Sequence, residues 1–236
     1  MISVVVPTLN AAARLVPCLS ALVPGAVDGV LREVVVADGG SQDASRAIAA
    51  DMGCTVIEAP RGRARQLAAG IAAARAPWLL LVHGDSVLSP GWVGAARQHV
   101  MQHAAAPEAR AGGAAERPAG FFRLAFDEAS GQARRVAGLA NWRARALGLP
   151  YGDQGLLIHR ETLAAVGGIA DLPLLEDLDL VRRLGRRRLV ALDAVCETSA
   201  ARYQRDGWLA RPARNILIAA AFLAGVPAAA LARIYR

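Results

Sequence analysis

The sequence predicts an α/β domain built on a mainly parallel central sheet flanked by helices. Short β-branched runs alternate with alanine-rich helical stretches through about the first hundred residues. Each is a compact, mostly apolar run, as expected of strands covered on both faces. At 236 residues the chain is long enough to bury one sizeable core.

Taken in order, strands are expected at Ile2–Val6, Glu33–Ala37, Thr55–Glu58 and Trp78–His83. Helices fill the gaps. Ala12–Val23 carries Leu15, Leu19 and Leu22 on one stripe, and Ala44–Met52, Arg65–Ala74 and Gly91–His103 follow, the last opening after Ser89-Pro90. Ala104–Pro118 is small, polar and aperiodic, so a connection is expected there. Beyond it come an edge strand at Gly120–Phe126, a helix at Gln132–Leu147, a strand at Gly155–His159 and a helix at Arg160–Val166, with another helix opening near Glu176. The tail from Arg211 to Arg236 reads as a separate apolar helix interrupted at Pro227.

Charge narrows the partners without choosing one. The net charge is +7 and every one of the 27 basic residues is arginine. No long basic run or reader motif accompanies it, so nucleic acid is not expected as a partner. Cys18, Cys54 and Cys196 are odd in number and belong to no C-x-x-C pair, which argues against a disulfide framework or a zinc site and for a reducing cytoplasm. MISVVVPTLN has no basic segment before a long apolar stretch, so a cleaved signal peptide is not expected. The uncharged run Ile216–Ala232 spans 17 residues, only the lower limit for crossing a bilayer. Arginines flank both its ends, which suits a helix lying on the inner face of a membrane as a peripheral contact; packing on the domain or on a second subunit of a homodimer remains the alternative.

Four segments carry candidate chemistry. Pro7-Thr8-Leu9-Asn10 and Asp38-Gly39-Gly40-Ser41 follow two successive strands, where open α/β sheets bind ligands. Asp38 there suits a nucleotide base or ribose, and turn or capping chemistry for Asp38 and Asp43 is the competing reading. Arg61, Arg63 and Arg65 cluster around Gly62 and suit a diphosphate through paired charged hydrogen bonds; a solvated basic loop is the alternative. WLLLVHGDS delivers His83 and Asp85 to the same edge, where they suit a hard divalent cation, Mn²⁺ or Mg²⁺. In LPLLEDLDLVRRLG, Glu176 and Asp177 open a helix whose N-terminal amides keep carboxylates ionised, as a general base requires. Acidic enrichment at a helix start is the plain alternative. PTLNAAAR holds no G-x-G-x-x-G, which excludes a dinucleotide-binding dehydrogenase loop, and no Walker A loop is present. A nucleotidyltransferase would want a glycine-rich loop in the same place.

Together VPTLN, the Asp38 loop, GRARQ, LVHGDS, YGDQG and LLEDLDL resemble glycosyltransferase family 2, inverting enzymes of GT-A fold, over about residues 1–200. Within it they look most like a small bacterial group described in arsenosugar biosynthesis or beside radical-SAM and selenium-related domains. The resemblance implies a nucleotide-diphosphate sugar donor, UDP-sugar favoured, and an acceptor hydroxyl on a lipid or a small metabolite. It implies nucleotide-sugar contacts from Pro7, Thr8, Asn10, Asp38, Arg61, Arg63, Arg65, Asp85 and Asp153. Asp85 would match the last Asp of a D-x-D metal motif, with His83 in place of the first, and His159 would be a further metal contact. Asp177, with Glu176 beside it, would match the catalytic E-D pair. A transferase domain at residues 1–210 is thus expected, with a nucleotide-sugar half at 1–103, an acceptor half at 119–200 and the apolar helix at 211–236. Gly207 stands at the Arg position of a Q-x-x-R-W motif, so one sugar per encounter is expected. A non-catalytic nucleotide-sugar binder is the other reading left open by His83.

Overall fold

The structure is a computed structural model and describes residues 1–104 and 117–235. The expected connection at Ala104–Pro118 lies largely outside the described residues. The first half runs β1 (Ile2–Thr8), α1 (Ala12–Ser20), α2 (Val23–Val27), β2 (Leu31–Asp38), α3 (Ser45–Asp51), β3 (Thr55–Glu58), α4 (Arg63–Ala73) and β4 (Trp78–Leu81). After β5 (Val87–Leu88) and α5 (Trp92–Gln102), the chain resumes with β6 (Ala119–Phe126), α6 (Gly131–Leu147), β7 (Leu156–His159) and α7 (Arg160–Ala165). The last elements are α8 (Glu176–Leu184), β8 (Leu189–Thr198), α9 (Ala201–Asp206), α10 (Ala210–Leu223) and α11 (Ala228–Ile234).

One sheet of eight strands orders them β3-β2-β1-β4-β7-β6-β8-β5. Its first four strands are parallel, as the apolar runs predict. The other half is mixed: β7 runs antiparallel to both β4 and β6, β8 is parallel to β6, and β5 is antiparallel to β8. The sheet is therefore mixed rather than mainly parallel. The change of direction at β4/β7 matters for the site, because it brings the start of β7 beside the carboxyl end of β4.

Side-chain alternation divides the core between two faces. Val4 and Val6 of β1 and Leu80 of β4 pack with Leu15, Leu19 and Trp92 from α1 and α5. Val5 and Leu79 point the other way, against Leu67, Leu163, Leu180 and Leu184 of α4, α7 and α8. Covering both faces explains why these strands are continuous apolar runs.

The tail departs from a single helix. Gly225 to Pro227 separates α10 from α11, since Pro227 has no N–H to continue the ladder. Ile218, Ala219, Ala228 and Leu231 are buried, and Ala219 and Phe222 pack with Leu178 and Val181 of α8. No helix of the described residues is long and apolar enough to cross a membrane.

Candidate active site

The carboxyl ends of β1 and β4 open into a cleft of about 630 Å³, a volume in the usual range for small-molecule sites. The loop after β1 lines its floor, and hydrogen bonds to the loop after β2 hold it in place. Asn10 has φ 51°, and its side chain accepts from the Gln42 N–H at 2.9 Å while its own N–H donates to Ser41 Oγ. Asp43 receives the N–H of Ala12 and of Ser45, which ties the start of α1 to the start of α3. Gln66 of α4 was not singled out by sequence reasoning. It is buried and lines the cleft, and its Nε2 donates to Thr8 O at 2.6 Å and Ala37 O at 2.9 Å. One side chain thereby fastens the ends of β1 and β2 together.

Pro7, Thr8, Asn10, Arg61, Arg63, His83, Asp85, Asp153 and Asp177 all line this cleft. Asp38, Arg65, Glu176 and His159 do not, and each for a physical reason. Asp38 is buried, with its oxygens taken by the N–H groups of Gly40 and Ser41 and by the Ser41 and Thr8 hydroxyls. Burial pushes its carboxyl up, but those hydrogen bonds outweigh it and hold the pKa below the ordinary value. Its observed role is to brace the loop. Arg65 sits two residues beyond Arg63 on α4 and so faces another way, pairing with exposed Asp171 at 2.9 Å. His159 ends β7, which is antiparallel to β4, so it lies beside Trp78 at the opposite end of the strand from Asp85. There it meets Arg117 and Glu161, and it is no ligand for a cation at Asp85.

Glu176 and Asp177 diverge because adjacent helical residues point about 100° apart. Glu176 turns inward, 3% exposed, and pairs with Arg63 Nε at 2.9 Å. It therefore meets Arg63 and does not reach the cleft. Asp177 faces the cleft, with Oδ2 accepting from Gly152 N and Oδ1 from Leu178 N, both at 2.7 Å. Leu175, just before this pair, is held at φ 66°, a left-handed conformation that costs on the order of 1 kcal/mol or more in a non-glycine residue. Gly152 is required where it stands: a Cβ there would lie 2.6 Å from His83 Nε2 and 3.1 Å from Asp177 Oδ2.

Arg63 Nη1 lies 2.9 Å from His83 Nε2. A guanidinium only donates, so this nitrogen accepts and the imidazole carries its proton on Nδ1. Burial, then the nearby Arg63 charge, push the His83 pKa down to about 4. The same contact occupies the lone pair that a metal would need, so His83 does not fit as a ligand. Asp85 does fit. It lines the cleft and neither oxygen accepts a hydrogen bond from the described residues. No cluster of three or more His, Cys, Asp or Glu suited to a metal occurs among the described residues. A divalent cation here would therefore rest on Asp85 and on diphosphate oxygens of a bound donor, a ligand set familiar for Mg²⁺.

The rest of the wall comes from regions the sequence reading placed less firmly. Arg14, Arg202 and Arg211 join Arg61 and Arg63, and Tyr151, Tyr203, Asn215, Ile218 and Tyr235 complete it. Tyr203 stacks on Trp208, with Phe126 edge-on to both. The segment after β8 thus forms part of the cleft wall as packed structure.

Asp153 lines the same cleft with Oδ1 buried and unpartnered. Burial raises its pKa from 3.8 to about 6. The folded chain then binds this proton more tightly than the unfolded one, so Asp153 favours folding below about pH 4 and loses that contribution as pH rises through 6. Asp153→Asn, which is neutral throughout, should match wild type near pH 4 and exceed it by about 1–3 kcal/mol near pH 7. Urea unfolding of both proteins across that range checks this, and parallel curves would show that Asp153 titrates normally.

The comparisons with known proteins agree with this geometry. Residues 3–114 match the family model described as Glycosyl transferase family 2. No curated protein sequence matches the chain. Among solved structures, the mannosyltransferase PcManGT from Pyrobaculum calidifontis, in complex with GDP-Man and Mn²⁺, superposes with a TM-score of 0.65 at 19% identity, covering 96% of this chain and 65% of that one. TarS 1-349 from S. aureus superposes with a TM-score of 0.62 at 17% identity, over 84% of this chain and 60% of its own length. Glucosyl-3-phosphoglycerate synthase from Mycobacterium tuberculosis, in complex with Mn²⁺, UDP and glucosyl-3-phosphoglycerate, has a TM-score of 0.52 at 19% identity, over 84% of this chain and 70% of that one. The fold is that of the GT-A glycosyltransferases. The chain spans about 60% of the length of the TarS structure it matches.

Proposed function

We propose that this chain is a glycosyltransferase that moves one sugar per encounter from a nucleotide-diphosphate sugar to an acceptor hydroxyl, inverting the anomeric configuration. The observation that carries the reading is the cleft itself: three carboxylates, Asp85, Asp153 and Asp177, face a wall containing Arg14, Arg61, Arg63, Arg202 and Arg211. Acids to take a proton and fixed cations to receive a leaving diphosphate are what single displacement needs. The sequence resemblance to the bacterial arsenosugar-related group belongs to the same reading, as do a donor half at residues 1–103 and an acceptor half at 119–200.

In this mechanism Asp177 accepts the proton of the acceptor hydroxyl, whose oxygen forms the new bond to the anomeric carbon. The bond from that carbon to the diphosphate oxygen breaks on the opposite face, and the electron pair leaves with the nucleoside diphosphate. Arg61 and Arg63 meet that charge by donating to phosphate oxygens. Burial works against the Arg63 cation, and the field of Glu176, Asp177, Asp153 and Asp85 more than offsets it. Asp85 would hold a divalent metal, which when bound supplies Lewis-acid stabilisation of the diphosphate. Gly152 N–H holds one Asp177 oxygen in place and leaves its remaining lone pairs to the substrate.

Thermal shift with UDP and GDP tests the reading. A nucleoside diphosphate at one hundred times its dissociation constant should stabilise the chain by about 2.7 kcal/mol. Mn²⁺ should strengthen the shift, EDTA should abolish that gain, and Asp85→Ala should lose only the metal-dependent part. Equal shifts in EDTA and Mn²⁺ would remove the cation, and no shift with either nucleotide would remove the donor reading.

A further inference from the structure

The helix α10 is turned inside out. Its polar side chains are engaged by the protein: Arg211 and Asn215 line the cleft, and Arg211 and the part-exposed Arg214 both donate to Asp206. Its exposed residues are Leu209 just before it, Ala210, Ala213, Ile216, Leu217, Ala220, Leu223 and, just after, Ala224, without one polar side chain. At 100° per residue these fall within one arc of about 140° over four turns. Leu209 is 86% exposed, Leu217 70% and Ile216 52%. Val226 and Ile234 carry the exposed apolar surface on into the turn and α11. An unbroken apolar face of this kind on an otherwise charged protein marks an interaction surface.

We infer that this face docks the chain on an anionic membrane surface, with α10 lying in the headgroup layer rather than crossing it. Charge chooses the occupant. Residues 201–235 carry five arginines and a single carboxylate, Asp206, which is already engaged by Arg205, Arg211 and Arg214. Arg205 stands exposed before the face and Arg233 is exposed on α11, whose end returns to α10 where Tyr235 meets Asn215. A second copy docking through the same face would bring no free carboxylate from residues 201–235 to pair with these cations, whereas anionic headgroups neutralise them. Neither helix needs to change, because the apolar residues already point outward.

Flotation of the full chain with vesicles of phosphatidylcholine and phosphatidylglycerol, against vesicles of phosphatidylcholine alone, tests this. The chain is expected to float with the anionic vesicles and to lose much of that binding at 0.5 M NaCl, about three times physiological ionic strength. Ile216→Ser combined with Leu217→Ser, neither of which lines the cleft, should weaken partitioning about tenfold or more. Nucleoside diphosphate binding reports that the variant is folded; should it be lost, Leu209→Ser, at the most exposed position, replaces the pair. Failure of the wild-type chain to float, or equal flotation of the folded variant, overturns the inference. So does a wild-type dimer in solution that the same substitutions dissociate, which would make the face a subunit interface.

Discussion

Asp177→Asn is expected to slow sugar transfer by about 10²- to 10⁴-fold while leaving donor affinity nearly unchanged. The substitution keeps the shape of the side chain and an oxygen to accept from Gly152 N–H or Leu178 N–H, both of which now hold the carboxylate at 2.7 Å. What it removes is the capacity to take a proton from the acceptor hydroxyl. Because α8 and the Gly152–Gln154 turn position the residue from both sides, the loss should appear in kcat rather than in KM for the donor. Single-turnover measurements with a radiolabelled donor would separate the two. Near wild-type turnover would move the base elsewhere in the cleft, where Asp153 has a buried oxygen without a partner.

Arg63→Ala carries the second large effect, and it divides into two separable parts. The first is binding: a guanidinium that faces the cleft is lost, and with it about 1.5–3 kcal/mol of charged hydrogen bonding to a diphosphate, or roughly ten- to a hundredfold in affinity. The second is stability. Glu176 is 3% exposed and has Arg63 as its ion-pair partner at 2.9 Å, so truncation strands a buried carboxylate. A wholly buried pair broken this way costs about 3–5 kcal/mol, and the part-exposed Arg63 reduces that to about 2–3 kcal/mol, a fall of several degrees in Tm. Arg63→Ala with Glu176→Gln should restore most of the stability and none of the nucleotide affinity. Calorimetry on the two variants distinguishes these outcomes; recovery of both together would mean that Arg63 acts only through the fold.

The parallel half of the sheet and most of the cleft floor were legible in the sequence because local pattern decides them. Apolar runs at β1, β2 and β4 end in polar loops, and sheet order then places those loops side by side. What local pattern does not carry is strand direction. LLIH reads the same in either sense, so His159 was expected near Asp85, and its antiparallel pairing with β4 sends it to the far edge. The strand β8 was not expected at all: LVALDAVCET interleaves helix-forming residues with Asp193 and Glu197, and its pairing with β6, distant in sequence, overrides that local preference. Arg63 and Arg65 are alike in composition and two residues apart. The start of α4 separates them, and that start, at Arg63 after Gly62 with φ 131°, falls two residues earlier than the sequence pattern places it. Gln66 was overlooked because a glutamine in a helix carries no motif; its role comes from backbone carbonyls of two other strands.

The arginine wall of the cleft also sets what the site can respond to. With no lysine anywhere in the chain, the fixed cations of this wall are all guanidinium groups, which stay protonated up to about pH 12. The positive potential that meets the donor is therefore a constant. Any pH profile of turnover should be shaped by acids and by the substrate, with no alkaline limb from a deprotonating side-chain amine. The same chemistry makes the site blind to amine-directed cross-linkers, which find no lysine in its wall to modify.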